Sequence, residues 1–275
     1  MQRPFNITDY LKAALAEDIG TGDVTGNSVI PAQAQSELAL NARETLVVAG
    51  LIYLKELFAL IDPAVSVTLI VKDGDKVNAG GRLALIKGPA RALLAGERTA
   101  INLIQHLSGI ATLAHAYVEA VKGTKAQIWD TRKTLPGMRA LQKYAVACGG
   151  GVNHRMGLYD AVMIKDNHIA IAGGVKQAIG AARRSGLKIQ VECDTLAQLD
   201  DALLTGVDSV LLDNMDLVTL AEAVKRCQAK GVWSEASGNV NLDTVRAIAQ
   251  TGVNAISVGK LTHSVKAVDI GLDAI

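Results

Sequence analysis

Asp130-Thr131-Arg132-Lys133, then Gly149-Gly150-Gly151-Val152-Asn153-His154-Arg155, then Met163-Ile164-Lys165-Asp166-Asn167-His168 stand within one stretch of the chain. Asp130 and Lys165 each close a short apolar run, at 126–129 and 161–164. Adjacent cations, a triple glycine and a lysine behind an apolar run are poor core material, because buried charge is costly without partners. They suit a pocket for a small molecule with several negative charges.

The same pattern repeats toward the C-terminus. Apolar runs at 189–191, 209–212, 232–234 and 255–258 alternate with helical periodicity at 174–184, 196–204, 218–230 and 242–250. That alternation predicts βα units around a parallel sheet, and its repetition favours a barrel. The runs are followed by Asp130, Lys165, Glu192, Asp213, Ser237-Gly238 and Gly259, and in a β/α barrel the strand carboxyl ends converge on one face. Toward the N-terminus the pattern differs: a helix at 7–16 with Thr8 or Asp9 as cap, loop-like sequence at 17–25, strands at 36–44, 65–72 and 81–87, and a helix at 51–60. This is an α+β module, and the helical stretch at 90–121 leads from it into the second part.

Composition limits the function classes. The chain has 275 residues, 49% of them hydrophobic, so a sizeable core is available, and its net charge of +1 gives no footprint for nucleic acid or an anionic membrane. Three widely spaced cysteines support neither a disulfide framework nor a metal cluster, and they read as reduced thiols. No apolar run reaches membrane-spanning length, and Met1 to Asn6 show no signal-peptide pattern. The expectation is a cytoplasmic enzyme.

Each candidate has a plainer reading. Arg132-Lys133 is also a possible solvated turn, but it follows a strand and precedes Thr134-Leu135-Pro136-Gly137. His154 stands beside Arg155 after three glycines, which allow a backbone to approach a ligand closely. Lys165 can snorkel; Glu192 competes with Asp194 for the inward position, and Asp213 can simply cap a helix. Ser237-Gly238-Asn239 and Ser257-Val258-Gly259 resemble ordinary turns, yet small residues ahead of a helix expose N–H groups to a phosphate. His106, His115, His168 and His263 show no metal-ligand spacing and are read as structural or peripheral.

Cations want carboxylates or phosphates, whereas carboxylates want Mg²⁺ or hydroxyls. A phosphoribosyl pyrophosphate beside an acidic co-substrate satisfies both, with Arg132, Arg155 and Arg98 suited to a planar carboxylate.

Glu97-Arg98-Thr99-Ala100, Leu107-Ser108-Gly109-Ile110-Ala111-Thr112, Asp130 to Thr134, Pro136-Gly137-Met138-Arg139, the 149–155 run, Ile164 to His168, Leu211-Leu212-Asp213-Asn214-Met215, Glu235-Ala236-Ser237-Gly238 and Ser257-Val258-Gly259 together resemble quinolinate phosphoribosyltransferase. The resemblance implies an N-terminal α/β sandwich domain (1–110, with the 266–275 tail packing on it) and an open, incomplete β/α barrel (111–265). It implies a homodimer in which Arg98 reaches across to the partner's site. Arg132, His154 and Arg155 would then hold quinolinate, and Lys133 and Lys165 would serve anionic groups including pyrophosphate. Glu192 and Asp213 would position Mg²⁺ and the ribose hydroxyls, while Ser237, Gly238 and Gly259 would receive the 5′-phosphate. In this pattern Leu135 stands where threonine is frequent, Asn239 where glycine is common and Lys260 where a small residue is frequent. Three alternatives stay open, the first two being a paralogous transferase-like protein encoded with molybdenum uptake functions and a Schiff-base aldolase using Lys165. A non-catalytic binding protein is the third.

Overall fold

A computed structural model describes residues 6–275; Met1 to Phe5, most of the stretch read for a signal peptide, lie outside the described residues. In chain order the elements are α1 (Ile7–Ile19), α2 (Val24–Val29), β1 (Gln35–Ala42), β2 (Leu46–Val47), α3 (Leu54–Ile61), β3 (Ser66–Leu69), β4 (Lys76–Val77), β5 (Arg82–Pro89) and α4 (Ala90–Ala120). Then follow β6 (Gln127–Trp129), α5 (Arg139–Cys148), β7 (Val162–Ile164), α6 (Asp166–Ala172), α7 (Val175–Ala182), β8 (Ile189–Cys193), α8 (Leu196–Thr205) and β9 (Ser209–Asp213). The chain ends with α9 (Leu217–Ala229), β10 (Trp233–Ser237), α10 (Val245–Gln250), β11 (Ala255–Ser257), α11 (Lys260–His263) and β12 (Ile270–Ala274).

The chain groups into two compact units that interleave along the sequence. The first takes the described residues up to His115, then Ala140–Gly150 and Ser264–Ile275; the second takes Ala116–Arg139 and Gly151–His263.

In the first unit a four-stranded sheet has the order β12-β1-β5-β3, with β12 antiparallel to β1 from Leu38↔Ala274 to Ala42↔Ile270. The tail therefore completes this sheet. Leu40, Leu54, Leu57, Phe58, Leu83 and Ile86 are fully buried and form much of its core. Tyr144 on α5 donates its hydroxyl to Asp73 at 2.7 Å, and Asp73 also accepts the Leu51 N–H at 2.9 Å. Burial, then Asp73, pushes the Tyr144 phenol above its ordinary value. Gly149, just after α5, has a packing duty of its own: a Cβ there would stand 2.3 Å from the Ala111 carbonyl oxygen and 2.7 Å from Ala114 Cβ. Within the glycine run, then, Gly149 is required by the approach of α5 to α4, not by a ligand.

In the second unit six parallel strands run β6-β11-β10-β9-β8-β7. β6 and β7 are the two ends of this order and do not pair, which makes the barrel an open one. The predicted helices and strands recur with small boundary shifts, and three differences matter for the site. β10 extends to Ser237, so Glu235 lies within the strand and not beyond it. β8 extends to Cys193, which leaves Glu192 inside the strand and Asp194 exposed after it. α2, in sequence read partly as loop, is a six-residue helix capped by Asp23, whose Oδ1 accepts the Gly26 N–H at 2.9 Å.

Cys148, Cys193 and Cys227 are buried free thiols. Burial pushes them up from 9.0 to about 12, about 12 and about 11 respectively. Because the thiolate is the reactive form, none of the three should react with a thiol reagent at pH 8 until denaturant is added; rapid labelling of the native chain would contradict this burial. The folded chain holds these protons to higher pH than the unfolded chain does. Their stabilising contribution is thus complete below about pH 9 and declines as pH rises toward 11–12, readable as a falling denaturant midpoint.

Candidate active site

The strand ends of the second unit converge as the barrel pattern requires. One cavity of about 200 Å³ is lined by Arg132 and Lys133 after β6, His154 and Arg155, Lys165 after β7, Glu192 of β8, Asp213 of β9, and Glu235 and Ser237 of β10. A second, of about 190 Å³, shares Thr131, Lys133, Ser237 and Ser257 with the first and is completed by Gly238, Asn239, Gly259, Lys260 and His263. Every sequence-predicted site residue except Arg98 lines one or both. Arg98 lies exposed on α4 in the first unit.

The 149–155 run reaches this position through the edge of the sheet. Val152 donates its N–H to the Ile128 carbonyl at 2.8 Å and accepts the Asp130 N–H at 3.1 Å, so it lies parallel beside β6. Asp130, fully buried, then accepts the His154 N–H on Oδ1 at 2.9 Å. Arg139 adds a clamp between the two cation-bearing segments: it donates to the Arg132 carbonyl at 3.3 Å, to Thr134 Oγ1 at 3.1 Å and to the Met156 carbonyl at 3.1 Å. From sequence Asp130 is legible as a polar group at a strand end and Arg139 only as part of a motif; neither is a predicted support for its neighbours.

Arg132 and Arg155 each keep a buried Nε–H without a hydrogen-bond partner among the described residues. Arg155 does donate through Nη1 to the Ala161 carbonyl at 3.1 Å. Burial, then the neighbouring Arg132 charge, lowers the Arg155 pKa, with Asp160 opposing. Such a pair of planar, incompletely satisfied donors is built for an anion that can accept several hydrogen bonds at once.

Glu235 is the residue that sequence reading missed. It is 0% exposed, accepts from Gln190 Nε2 at 2.7 Å and from the Ser257 hydroxyl, and stands 3.3 Å from His154 Nε2. His154 Nδ1 accepts the Arg155 N–H at 2.7 Å. That network assigns the ring proton to Nε2, on the side of Glu235. Trp129 meets the same ring edge-on at 5.4 Å. The signal for Glu235 is a carboxylate directly after the run at 232–234, whereas the sequence reading takes Ser237-Gly238 as the site group of that strand.

Lys165 donates to Glu192, so the cationic and anionic sides of the cavity are in direct contact there. His168 caps the following helix locally by accepting the Lys165 N–H on Nδ1 at 3.1 Å. His263, expected to be peripheral, lines the second cavity; an ideal Cβ on Gly259 would meet the Lys133 Cδ at 3.2 Å and His263 ring atoms at 3.3 Å. Gly259 therefore keeps the floor of this cavity low between two basic side chains.

The chain is similar to known proteins over nearly its whole length. Residues 23–108 match the quinolinate phosphoribosyl transferase N-terminal domain, and residues 110–273 match its C-terminal domain. A protein of Bacillus subtilis named probable nicotinate-nucleotide pyrophosphorylase (carboxylating) is 46% identical over 260 residues, covering 94% of this chain and 89% of the relative. Nicotinate-nucleotide pyrophosphorylase (carboxylating) of Mycobacterium leprae is 45% identical, with 96% of each chain covered. The crystal structure of NadC from Streptococcus pyogenes superposes with a TM-score of 0.94 at 40% identity, covering 100% of this chain and 99% of that one. With both domains matched and relatives aligned over nearly their whole length, the chain belongs to the quinolinate phosphoribosyltransferase family.

Proposed function

We propose that the chain transfers phosphoribose from phosphoribosyl pyrophosphate to quinolinate, with loss of CO₂, giving nicotinate mononucleotide for NAD biosynthesis. The observation that carries this reading is the shared cavity, in which two incompletely satisfied arginines occur together with two lysines and two partly exposed carboxylates. Arg132 and Arg155 suit the two ring carboxylates, with His154 held beside them by Glu235 and Asp130. Ser237, Gly238 and Gly259 suit the 5′-phosphate, and Lys133, which lines both cavities, suits the pyrophosphate together with Lys165.

Bringing the two substrates into one cavity supplies much of the rate by positioning. The quinolinate nitrogen attacks the anomeric carbon; the bond to pyrophosphate oxygen breaks, and the lysines stabilise the charge that leaves with it. Positive charge developing on the sugar is stabilised electrostatically by Glu192 and Asp213. The pyridinium nitrogen then stabilises the negative charge left at C2 as the adjacent carboxylate departs as CO₂, and the electron pair on C2 takes a proton from solvent. The electron sink belongs to the substrate, so the reading calls for no organic cofactor.

Mg²⁺ fits as a partner of the pyrophosphate. Among the described residues no three His, Cys, Asp or Glu side chains cluster into a metal cage, whereas Mg²⁺ is commonly held by one or two carboxylates plus substrate phosphates and water. Glu192 and Asp213 would be those carboxylates, and the ion would offset phosphate charge.

Arg98 supports a homodimeric reading: it is exposed and lines neither cavity. It would serve the partner's site. Co-expressing Arg98→Ala with Lys165→Ala should then give hybrid dimers more active than either parent variant; no recovery in purified hybrids would remove Arg98 from the partner's site. No described helix is long and apolar enough to cross a membrane, and free buried thiols accord with a reducing, cytoplasmic setting.

The direct test supplies phosphoribosyl pyrophosphate, Mg²⁺ and either quinolinate or nicotinate, and quantifies nicotinate mononucleotide and CO₂ together. Equal release of both from quinolinate alone is expected. Absence of turnover by folded protein that binds phosphoribosyl pyrophosphate would overturn the assignment.

A further inference from the structure

Among the described residues only two that are not glycine have positive φ: Asn214 at 53° and Asn239 at 50°. Left-handed backbone is strained for any side chain, although asparagine tolerates it better than most. The two stand in neighbouring loops, one immediately after β9 and the other two residues after β10, and they are bonded to each other. Asn239 Nδ2 donates to Asn214 Oδ1 at 3.2 Å, and Asn214 Nδ2 donates to Asp213 Oδ2 at 2.7 Å. The Asn214 N–H donates to the Ser237 carbonyl at 3.0 Å. Between them lies Gly238, where a Cβ would stand 2.1 Å from Asn214 Oδ1. A line of amide dipoles thus runs from the Asp213 carboxylate in the first cavity to the Ser237-Gly238-Asn239 turn of the second.

We infer that Asn214 and Asn239 are positioning residues that tie Asp213 to the phosphate-binding turn, so that capture of the 5′-phosphate and placement of the carboxylate beneath the ribose are one event. The inference rests on the proposed substrate. The two amide bonds form together in only one relative placement of the two loops. The strained backbone places both side chains in register for that bond, and Gly238 leaves room for the Asn214 side chain to pass. A phosphate settling on the turn fixes Asn239, and through Asn214 it fixes Asp213. Without the tie the two loops are free to adjust separately, and the substrate must order both.

Glycine is the informative replacement because it takes positive φ without strain while deleting the amide. Asn239→Gly should keep Tm within about 2 °C of the parent. It should raise the KM for phosphoribosyl pyrophosphate, and the Kd for ribose 5-phosphate measured by calorimetry, about five-fold, the effect of one neutral hydrogen bond. The KM for quinolinate should stay within about two-fold. Asn214→Gly should do the same, and the double variant should be no worse than the weaker single, because both remove one tie. Additive losses, or an unchanged ribose 5-phosphate Kd in Asn239→Gly, would overturn the inference. A fall in Tm with equal loss for both substrates would reduce the pair to loop structure and overturn it as well. Failure of the parent chain to bind ribose 5-phosphate would sink both this inference and the substrate reading; binding without turnover of quinolinate would sink the substrate reading alone.

Discussion

Arg132→Ala should raise the KM for quinolinate by about two orders of magnitude while leaving that for phosphoribosyl pyrophosphate within about three-fold. The size follows from losing a charge-assisted, bidentate contact in a partly buried setting, typically 2–5 kcal/mol. Selectivity follows from position. Arg132 carries a buried Nε–H with no partner among the described residues, and its carbonyl is held independently by Arg139 at 3.3 Å, so truncation removes the guanidinium without releasing the loop. Arg155, whose pKa is lowered by burial and by Arg132, would remain as the single arginine for both carboxylates. Arg132→Lys keeps the charge and loses the planar fork, so it should fall between the two. Equal losses for both substrates would show that Arg132 shapes the cavity and does not select its acceptor.

The second large effect is expected at Glu235. Alanine at this fully buried position deletes the acceptor of Gln190 Nε2 and of the Ser257 hydroxyl and empties the space beside His154. Breaking such a buried polar cluster costs about 3–5 kcal/mol, which in a chain of this size lowers Tm by about 10 °C. Glu235→Gln retains the shape and one acceptor oxygen; it should fold, but with kcat/KM reduced because the His154 ring is oriented by an amide in place of a carboxylate. A native Tm in the alanine variant would mean that the cluster is compensated by water and contributes little.

Much of the architecture was legible because periodicity reports burial directly. Val210, Leu211 and Leu212 of β9 are all buried, so their apolar character is continuous and the strand's end is marked by its first charge, Asp213. The same rule hid Glu235: a charge ordinarily ends a buried strand, and pairing with Gln190 of β8 and Ser257 of β11 permits one inside. α5 was unreadable for a related reason. Gln142 and Lys143 are buried along with Leu141, Tyr144 and Val146, so no polar stripe exists to reveal a helical period. β12 is only five residues long and owes its form to pairing with β1, more than two hundred residues earlier in the chain. The charged residues of the site were visible one by one, whereas the bonds by which Asp130, Arg139 and Glu235 hold His154, Met156 and Gln190 depend on how separate segments come together.

The open sheet leaves β6 and β7 as outer strands, each only three residues long. Exposed strand edges invite pairing with other chains. At β6 that invitation is already taken up: Val152 occupies the hydrogen-bonding positions of Ile128 and Asp130, and it does so with the segment that delivers His154 and Arg155. Under the proposed function, edge protection and substrate capture therefore share one piece of backbone. A replacement that pulls Val152 away from β6 would cost the protein its acceptor pocket and its protection against self-association together, and concentration-dependent aggregation would report the damage even where no assay of turnover was run.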